Sequence, residues 1–462
     1  MSHASAGTPA LPRRIRAQAV RTLRLALPVM LARLGLMLMI TVDSIMAGQH
    51  SGTALAHYGI ALAPHIFLLV VGIGLMVGTV VMTGQADGGG DSQRCGAIWV
   101  SALGLGAAVG LAGAAIMAFG ETVLSAMGQS ADLAAGGGRA LAGFAPGMPA
   151  ILMYLATSFF LEGIGRPRVG MVVALGANVP NAVLNLILIE GLFGLPAMGA
   201  AGASLATSIT RWLMLAALVA YVLRMDGRAR YGIGGAGGGW RVAPQAGTTA
   251  RLFRLGLPLA AATGLEAGAF TMLATFAGWL GPTTMAAYQT CINVVSFAFM
   301  LAIGLSTAAS VQTANAVGRR DRAGMALAGW LAAALSGVLM LAIALAVVWQ
   351  RAPIAGIYSE APAVQALAHA GFLIVGVVIV FDGIQATLMG AHRGASDILV
   401  PTGMQAVAFW GLGIPTAYIL GVRQGLGLDG LLIGLALALI AATLFLTLRF
   451  TVIARRPVKA VY

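Results

Sequence analysis

About twelve long apolar stretches, separated by short polar gaps, run the length of this 462-residue chain. A bilayer core about 30 Å thick is crossed by roughly 20 apolar residues in a helix. Only 9% of the residues are charged, against about a quarter in a soluble domain. The pattern predicts an all-α polytopic membrane protein with twelve transmembrane helices. The predicted spans are 24–47, 58–83, 95–119, 139–162, 168–190, 198–224, 254–280, 286–315, 324–348, 364–392, 398–421 and 428–453.

The basic residues are distributed unevenly between the gaps. Of the 27 Lys and Arg residues, 22 lie at the termini or in alternate gaps. Polytopic proteins concentrate Lys and Arg in short cytoplasmic loops. Both termini are therefore expected in the cytoplasm, as an even number of spans requires, and the net charge of +13 is an orientation signal rather than evidence for nucleic acid binding. The predicted cytoplasmic regions include an N-terminal segment 1–23, a linker 225–253 and a tail 454–462.

The sequence repeats itself at a shift of 230 residues. Residues 24–28 (Arg-Leu-Ala-Leu-Pro) align with 254–258 (Arg-Leu-Gly-Leu-Pro), and Tyr58 aligns with Tyr288. Six helices per repeat predict two parallel repeats related by an axis along the membrane normal. They form an N-lobe over 24–224 and a C-lobe over 254–453. The Gly-rich segment 232–239 is interpreted as a flexible tether between them. Two such lobes suit the rocking motion of a secondary transporter.

Four carboxylates fall within or at the ends of the predicted spans. A charged side chain in the hydrocarbon region is costly, which makes Asp43, Glu162, Glu266 and Asp382 candidate functional residues. Glu266 and Asp382 lie well inside their helices. Asp43 also suits a cap at the outer membrane surface, and Glu162 also suits an interfacial ion pair with a nearby arginine. In the repeat, Glu266 corresponds to Leu36, seven residues before Asp43, so both carboxylates are expected to point in the same direction.

Polar residues form pairs one helical turn apart, which places each pair on one helix face. Such a face either lines a cavity or forms interhelical hydrogen bonds that hold the bundle together. The pairs are Asn181 with Asn185, Gln289 with Asn293, and Asp382 with Gln385. Gln289, Asn293, Gln385 and the neighbouring Tyr288 are the candidates for a substrate cavity.

With these residues the chain resembles the multidrug and toxic compound extrusion (MATE) transporters, and most closely the NorM-like branch. The resemblance covers nearly the whole chain. It rests on twelve helices, on the two repeats and on several phrases. These are 26–28 (Ala-Leu-Pro), 42–48 (Val-Asp-Ser-Ile-Met-Ala-Gly), 162–166 (Glu-Gly-Ile-Gly-Arg), 185–191 (Asn-Leu-Ile-Leu-Ile-Glu-Gly), 194–202, 288–293 (Tyr-Gln-Thr-Cys-Ile-Asn) and 390–393 (Gly-Ala-His-Arg).

The resemblance implies roles for the polar residues. Asp43 matches the first-helix aspartate of an N-lobe cation network, and Asn181, Asn185 and Glu162 match its other members, although related proteins carry Asp at the Glu162 position. Glu266 and Asp382 match the C-lobe acids implicated in cation coupling, and are the tentative ligands of Na⁺.

The family function implied is secondary active efflux of organic cations and amphiphilic drugs in exchange for Na⁺ or H⁺, by alternating access of the two lobes. The expected partners are small-molecule drugs and the lipid bilayer, without nucleic acid. A monomer in a bacterial inner membrane is expected, with no cofactor besides the coupling ion. Na⁺ is favoured because carboxylates and amides offer the oxygen ligands that hard cations prefer.

Three other classes of protein fit the sequence less well, and one of these, a channel, is disfavoured by the duplicated lobes and the tether. A lipid-linked oligosaccharide flippase of the same superfamily usually carries extra helices and a cationic cavity, whereas Arg33 and Arg211 are the only arginines deep inside the predicted spans, away from their ends. An intramembrane enzyme is not predicted, because the sequence lacks the His-Glu-x-x-His, Gly-x-Gly-Asp and Asp-Asp-x-x-Asp motifs of such enzymes.

Overall fold

The computed structural model describes residues 11–234 and 247–457, and in these ranges the protein is built from α-helices. Residues 1–10 of the predicted N-terminal segment 1–23, most of the Gly-rich tether and the last five residues lie outside the described ranges. The membrane helices are α1 (Leu11–His50), α2 (Gly52–Gly88), α3 (Arg94–Ala118), α4 (Ala131–Phe144 and Gly147–Gly163), α5 (Arg168–Glu190), α6 (Gly199–Arg224), α7 (Thr248–Trp279), α8 (Pro282–Gly318), α9 (Arg322–Trp349), α10 (Pro362–Gly394), α11 (Leu399–Arg423) and α12 (Gly427–Ile453).

Every predicted span coincides with one of these helices. In the described residues, eleven helices are long and apolar enough to cross a membrane, and the bent pair in α4 makes a twelfth. Several helices are longer than the predicted spans, and α1 begins at Leu11 rather than near residue 24. The extension of α1 lies in a basic segment, which the apolar pattern alone does not identify.

Prolines explain three irregular helices. The two parts of α4 meet at an angle of 42° beside Pro146. The helix α5 is interrupted at Ala177, three residues before Pro180, and α11 carries π-helical turns on both sides of Pro415. Proline removes one backbone donor and its ring crowds the preceding turn, which breaks the regular helical hydrogen bonding.

The two repeats pack against each other with twofold pseudosymmetry. Helix α1 of the N-lobe packs on α8 of the C-lobe, and α2 packs on α7. A glycine at the equivalent position allows the close approach in both contacts. A Cβ atom placed on Gly74 would lie 2.5 Å from Cα of Ala260, and one on Gly304 would lie 2.3 Å from Cγ of Met30. Since both pairs of positions differ by 230, the same close approach of helices occurs twice.

The lobes are closed at the end of the bundle where α1 begins and α12 ends, which we call the basic end. A Cβ atom on Gly88 would lie 2.3 Å from the carbonyl oxygen of Asn315, and one on Gly318 would lie 2.0 Å from that of Gln85. These positions again differ by 230. Across the same junction, Thr22 donates a hydrogen bond to Oε1 of Gln312 (3.0 Å).

Candidate cation and drug sites

Asp43 is the centre of a buried hydrogen-bond network in the N-lobe. Its side chain has no exposed surface and accepts hydrogen bonds from the Tyr58 hydroxyl (3.1 Å), the Asn185 amide (2.5 Å) and the Thr207 hydroxyl (2.5 Å). The four residues come from α1, α2, α5 and α6. Three donors on one carboxylate stabilise its ionised form inside the protein. Because its side chain is buried, Asp43 is not a helix cap at the membrane surface.

Asn181 extends the same network. Its side-chain oxygen accepts a hydrogen bond from Asn185 (3.4 Å), and its amide donates to Thr207 (3.5 Å). The one-turn spacing of the two asparagines therefore does place them on one face, and that face is turned to Asp43. Sequence reasoning missed Tyr58 and Thr207 as members of the site.

A buried arginine lies next to this network. Arg211, one turn after Thr207 on α6, interacts electrostatically with Asp43. Its guanidinium lies 3.0 Å from Nε2 of His65 and 5.7 Å from the ring centroid of Phe144. Arginine has only donors, so Nε2 of His65 accepts and His65 is neutral. The two charged side chains, Arg211 and Asp43, therefore lie in the same buried region of the N-lobe, without an ion pair between them in the described part of the chain. In the sequence, the one-turn spacing of Thr207 and Arg211 was the feature that could have identified these two residues as members of the site.

Glu162 belongs to a separate polar group. It is buried, its Oε1 accepts a hydrogen bond from Ser158 (3.0 Å), and it interacts electrostatically with Arg33. The Arg33 guanidinium lies 5.4 Å from the ring centroid of Phe159. In the described part of the chain, no hydrogen bond joins Glu162 to the Asp43 network. The structure therefore does not bring Glu162 together with the residues to which the resemblance assigned it.

The two C-lobe carboxylates do come together. Asp382 on α10 is buried, Glu266 on α7 is half-buried, and they interact electrostatically. Glu266 also interacts with the guanidinium of Arg393, which donates a hydrogen bond to the Ser306 hydroxyl (2.7 Å). Glu266, like Asp43, interacts with residues of its own lobe.

Two buried oxygens beside this pair have no hydrogen-bond partner among the described residues. They are Oδ1 of Asp382 and Oε1 of Gln385, which follows one turn later on α10. An unpaired buried oxygen costs free energy, and one on a carboxylate costs most. A proton on Asp382, or a hard cation shared by the two oxygens, removes that cost. The described residues contain no group of three or more His, Cys, Asp or Glu side chains arranged for a metal ion.

The remaining substrate-cavity candidates divide between two faces of α8. Gln289 and Asn293 are exposed, and the Asn293 amide donates to the backbone oxygen of Gln289 (2.9 Å). Tyr288 is buried and its hydroxyl donates to the backbone oxygen of Phe270 (3.0 Å). Among the residues described, no hydrogen bond connects the Gln289–Asn293 pair to Asp382, so we place these amides on an exposed wall and Tyr288 in the packing behind it.

Comparison with known proteins gives a consistent picture. The MatE family model matches residues 28–187 and 258–419, two segments that begin 230 positions apart. A "Probable multidrug resistance protein NorM" from Caulobacter vibrioides is 32% identical over 100% of this chain and 98% of its own. The multidrug resistance protein PmpM from Pseudomonas aeruginosa is 32% identical over 98% of this chain and 96% of its own.

Solved structures share the fold at lower identity. The crystal structure of the eukaryotic MATE transporter AtDTX14 superposes with a TM-score of 0.85 at 20% identity, covering 96% of this chain and 98% of that one. An outward-facing MATE family transporter of the MOP superfamily superposes with a TM-score of 0.84 at 19% identity, covering 98% of this chain and 100% of that one.

Proposed function

This chain belongs to the MATE family of transporters, and on that premise we propose that it is a secondary active antiporter exporting organic cations and amphiphilic drugs in exchange for Na⁺ or H⁺. The names of the relatives, which are multidrug resistance proteins, support drugs as the substrate class. The observation that carries the coupling proposal is the pair of unpartnered buried oxygens of Asp382 and Gln385 beside Glu266.

Coupling follows from the charge of this group. Glu266 and Asp382 together carry two negative charges when ionised, and Arg393 offsets one of them. Binding of Na⁺ or H⁺ neutralises the remainder. A cationic drug competes for the same negative charge. An ion that binds the two lobe arrangements with different affinity shifts their equilibrium, which is the requirement for exchange.

The N-lobe carboxylate has a different role in this proposal. Arg211 already supplies a positive charge close to Asp43, and Tyr58, Asn185 and Thr207 satisfy its oxygens. Asp43 therefore holds the N-lobe helices and shapes the cavity, while cation binding is assigned to the C-lobe pair.

The closed basic end defines one of the two states needed for alternating access. The glycine contacts of Gly88 and Gly318 join the lobes there. With this end in the cytoplasm, as the charge distribution favours, we assign this arrangement to an outward-facing state, and we propose that the protein acts as a monomer in a bacterial inner membrane. The protein needs no cofactor besides the coupling ion.

A lipid-linked oligosaccharide flippase requires cations open to the central cavity. Arg211 is instead buried against His65, and Arg33 lies beside Glu162 and the ring of Phe159. The geometry of these two arginines favours the drug transporter.

Ethidium transport into everted membrane vesicles tests the proposal. We expect accumulation driven by an imposed Na⁺ gradient, and a smaller response to a pH gradient of equal size. Vesicles containing the Glu266→Gln, Asp382→Asn double variant are the matched control for residual transport. Equal accumulation by wild type and control under both gradients would contradict coupled transport.

A further inference from the structure

A cavity of about 560 Å³ opens at the basic end between the two lobes. Arg21 and Arg24 of α1 line one side of it, and Arg166 and Arg168 from the connection between α4 and α5 line another. Asn315, near the end of α8, contributes from the C-lobe. The volume lies in the range of small-molecule binding sites.

The charge of the cavity selects anions. Four arginine residues line it, one of which, Arg166, also donates to the Asp226 backbone oxygen (3.3 Å), and Asp87 is the one acidic residue in its lining among the described residues. Asp87 is already engaged by Arg230 (3.6 Å) and by the Ser92 hydroxyl (3.0 Å). The cavity therefore carries an excess of positive charge, which disfavours a cationic drug.

The backbone at the cavity wall adds to this preference. Gly165 has a positive φ of 78° and turns the chain at the end of α4, so that the first residues of α5, Arg168 and Val169, face the cavity. The first backbone N–H groups of a helix have no partner within the helix and favour negative charge. Paired arginines beside such N–H groups are suited to phosphate oxygens.

Comparison of the two repeats shows that one hydrogen-bonded link between the lobes has no equivalent among the described residues. Gln85 of the N-lobe donates hydrogen bonds to the Gly394 carbonyl (3.0 Å) and the Ser396 hydroxyl (2.7 Å), and so joins α2 to the loop after α10. Asn315 is its equivalent in the C-lobe, at a shift of 230. Its shorter amide donates to the Val311 carbonyl of its own helix (3.0 Å). The loop after α4 thus has no corresponding link to Asn315, and the arginine-lined cavity occupies that place.

We propose that this cavity binds a phosphate group, carried by an anionic lipid headgroup or by a free phosphate, and that the bound phosphate completes the second half of the closure at the basic end. The guanidinium groups of Arg24 and Arg168 supply bidentate donors from two different helices. The cavity wall formed by α8 brings the C-lobe into contact with the same ligand. A ligand held only when this end is closed stabilises the outward-facing arrangement. This binding is independent of which drug or ion the protein transports.

Thermal unfolding of the intact protein in nanodiscs tests the proposal. Wild type is compared in phosphatidylcholine alone, in phosphatidylcholine with phosphatidylglycerol, and in phosphatidylcholine with sodium phosphate against sodium chloride at equal ionic strength. The cavity variant is Arg24→Gln with Arg168→Gln. The matched control is Arg455→Gln with Arg456→Gln, which removes two charges from the same end of the protein but outside the cavity lining.

We expect phosphatidylglycerol to stabilise wild type and the control, and the cavity variant to need a concentration about tenfold higher for the same stabilisation. An equal response to inorganic phosphate would identify a free phosphate as the source, and a response to lipid alone would identify the headgroup. The proposal is wrong if neither anion stabilises the protein, or if the cavity and control variants lose the response equally.

A second variant keeps the test decisive should the arginine variant unfold. Asn315→Gln restores the side-chain length of Gln85 and is expected to reach the loop after α4. This variant should be more stable than wild type in phosphatidylcholine alone and should respond less to phosphatidylglycerol. A full lipid response together with unchanged stability would contradict the idea that the anion replaces a missing protein contact.

Discussion

Tyr58 and Tyr288 hold the same position in the two repeats, but their hydroxyls bond to different partners. Tyr58 donates to the Asp43 carboxylate (3.1 Å), whereas Tyr288 donates to the backbone oxygen of Phe270 (3.0 Å). The C-lobe residue equivalent to Asp43 is Leu273, which offers no acceptor. The lobes therefore share a scaffold, while the polar chemistry at this level exists in the N-lobe alone.

This difference predicts opposite results for two matched variants. Tyr58→Phe removes one of three donors to a buried carboxylate, and we expect ethidium efflux to fall several-fold. Tyr288→Phe removes an additional hydrogen bond to a backbone oxygen inside α7, which keeps its helical partner, and we expect a loss of at most about 1 kcal/mol of stability with efflux retained. Efflux in everted vesicles and thermal unfolding of both purified variants check the prediction. Equal efflux by the two variants would show that the Tyr58 hydroxyl has no special role.

Asp43→Asn is expected to weaken export at least tenfold while the protein is still inserted. The substituted amide keeps the shape, but it removes the charge that Arg211 faces and accepts fewer of the hydrogen bonds from Tyr58, Asn185 and Thr207. Because cation binding is assigned to the C-lobe, the residual transport should keep its dependence on the Na⁺ or pH gradient. Drug resistance of cells at equal expression gives the first measurement. Asp132→Asn, at a highly exposed position, is the control.

The sequence allowed the helices to be predicted because each span must cross the bilayer, and this requirement leaves an apolar run of known length. The breaks in α4, α5 and α11 were not predicted, although Pro146, Pro180 and Pro415 stand beside them in the sequence. Partners on different helices were harder to predict. Thr207 and Asp43 are 164 residues apart, and their hydrogen bond depends on how α6 packs on α1.

The outcome of each site prediction depended on whether its residues share one helix or lie on separate helices. Asn181 and Asn185 share a face because one-turn spacing on a single helix determines it. Glu266 and Asp382 lie on separate helices and were paired through the family resemblance, and the structure does bring them together. The same resemblance placed Glu162 with Asp43, whereas Glu162 instead bonds to Ser158. The boundaries of the lobes, 24–224 and 254–453, and the transport roles of these residues stay predictions.

Removing either C-lobe charge should uncouple transport. We expect Glu266→Gln or Asp382→Asn to abolish gradient-driven efflux while ethidium still binds, since the apolar walls of the proposed drug-binding cavity are unchanged. If the driving ion is H⁺, the amide resembles the protonated carboxyl and should hold the protein in one state. If it is Na⁺, the variant loses an anionic ligand and its Na⁺ dependence. Gln385→Leu separates these cases further, because it removes an oxygen but no titratable group. Unchanged transport in both carboxylate variants would move coupling to the N-lobe.

Closure of the basic end depends on glycine at two equivalent positions. A methyl group on Gly318 would meet the backbone oxygen of Gln85, and one on Gly88 would meet that of Asn315. Gly318→Ala and Gly88→Ala should therefore favour opening at this end. A cysteine at Val311, in a background without Cys95 and Cys291, should then react faster with thiol reagents applied from the basic side. Gly278→Ala, where a Cβ atom has open space, should leave the reaction rate unchanged.

The loop that receives Gln85 is held by Asp397, whose ionisation predicts a specific response to acid. Burial by itself would raise the pKa of Asp397, but hydrogen bonds from His392 (3.1 Å) and Arg449 (2.8 Å) outweigh it and lower the pKa to about 2, from an ordinary value of 3.8. A carboxyl whose pKa is lowered on folding adds stability above its unfolded pKa, and this stability is lost as the pH falls through the folded value.

Asp397→Asn should therefore reduce stability by at most about 2 kcal/mol at pH 5 and above. The difference in unfolding temperature between wild type and variant should shrink as the pH falls from about 4 towards 2. Thermal unfolding in nanodiscs across this range checks the sign. Asp397 lies in the loop that carries the acceptors for Gln85. The variant should therefore also open more readily at the basic end. A difference that stays constant between about pH 4 and pH 2 would contradict the assignment to the Asp397 carboxylate.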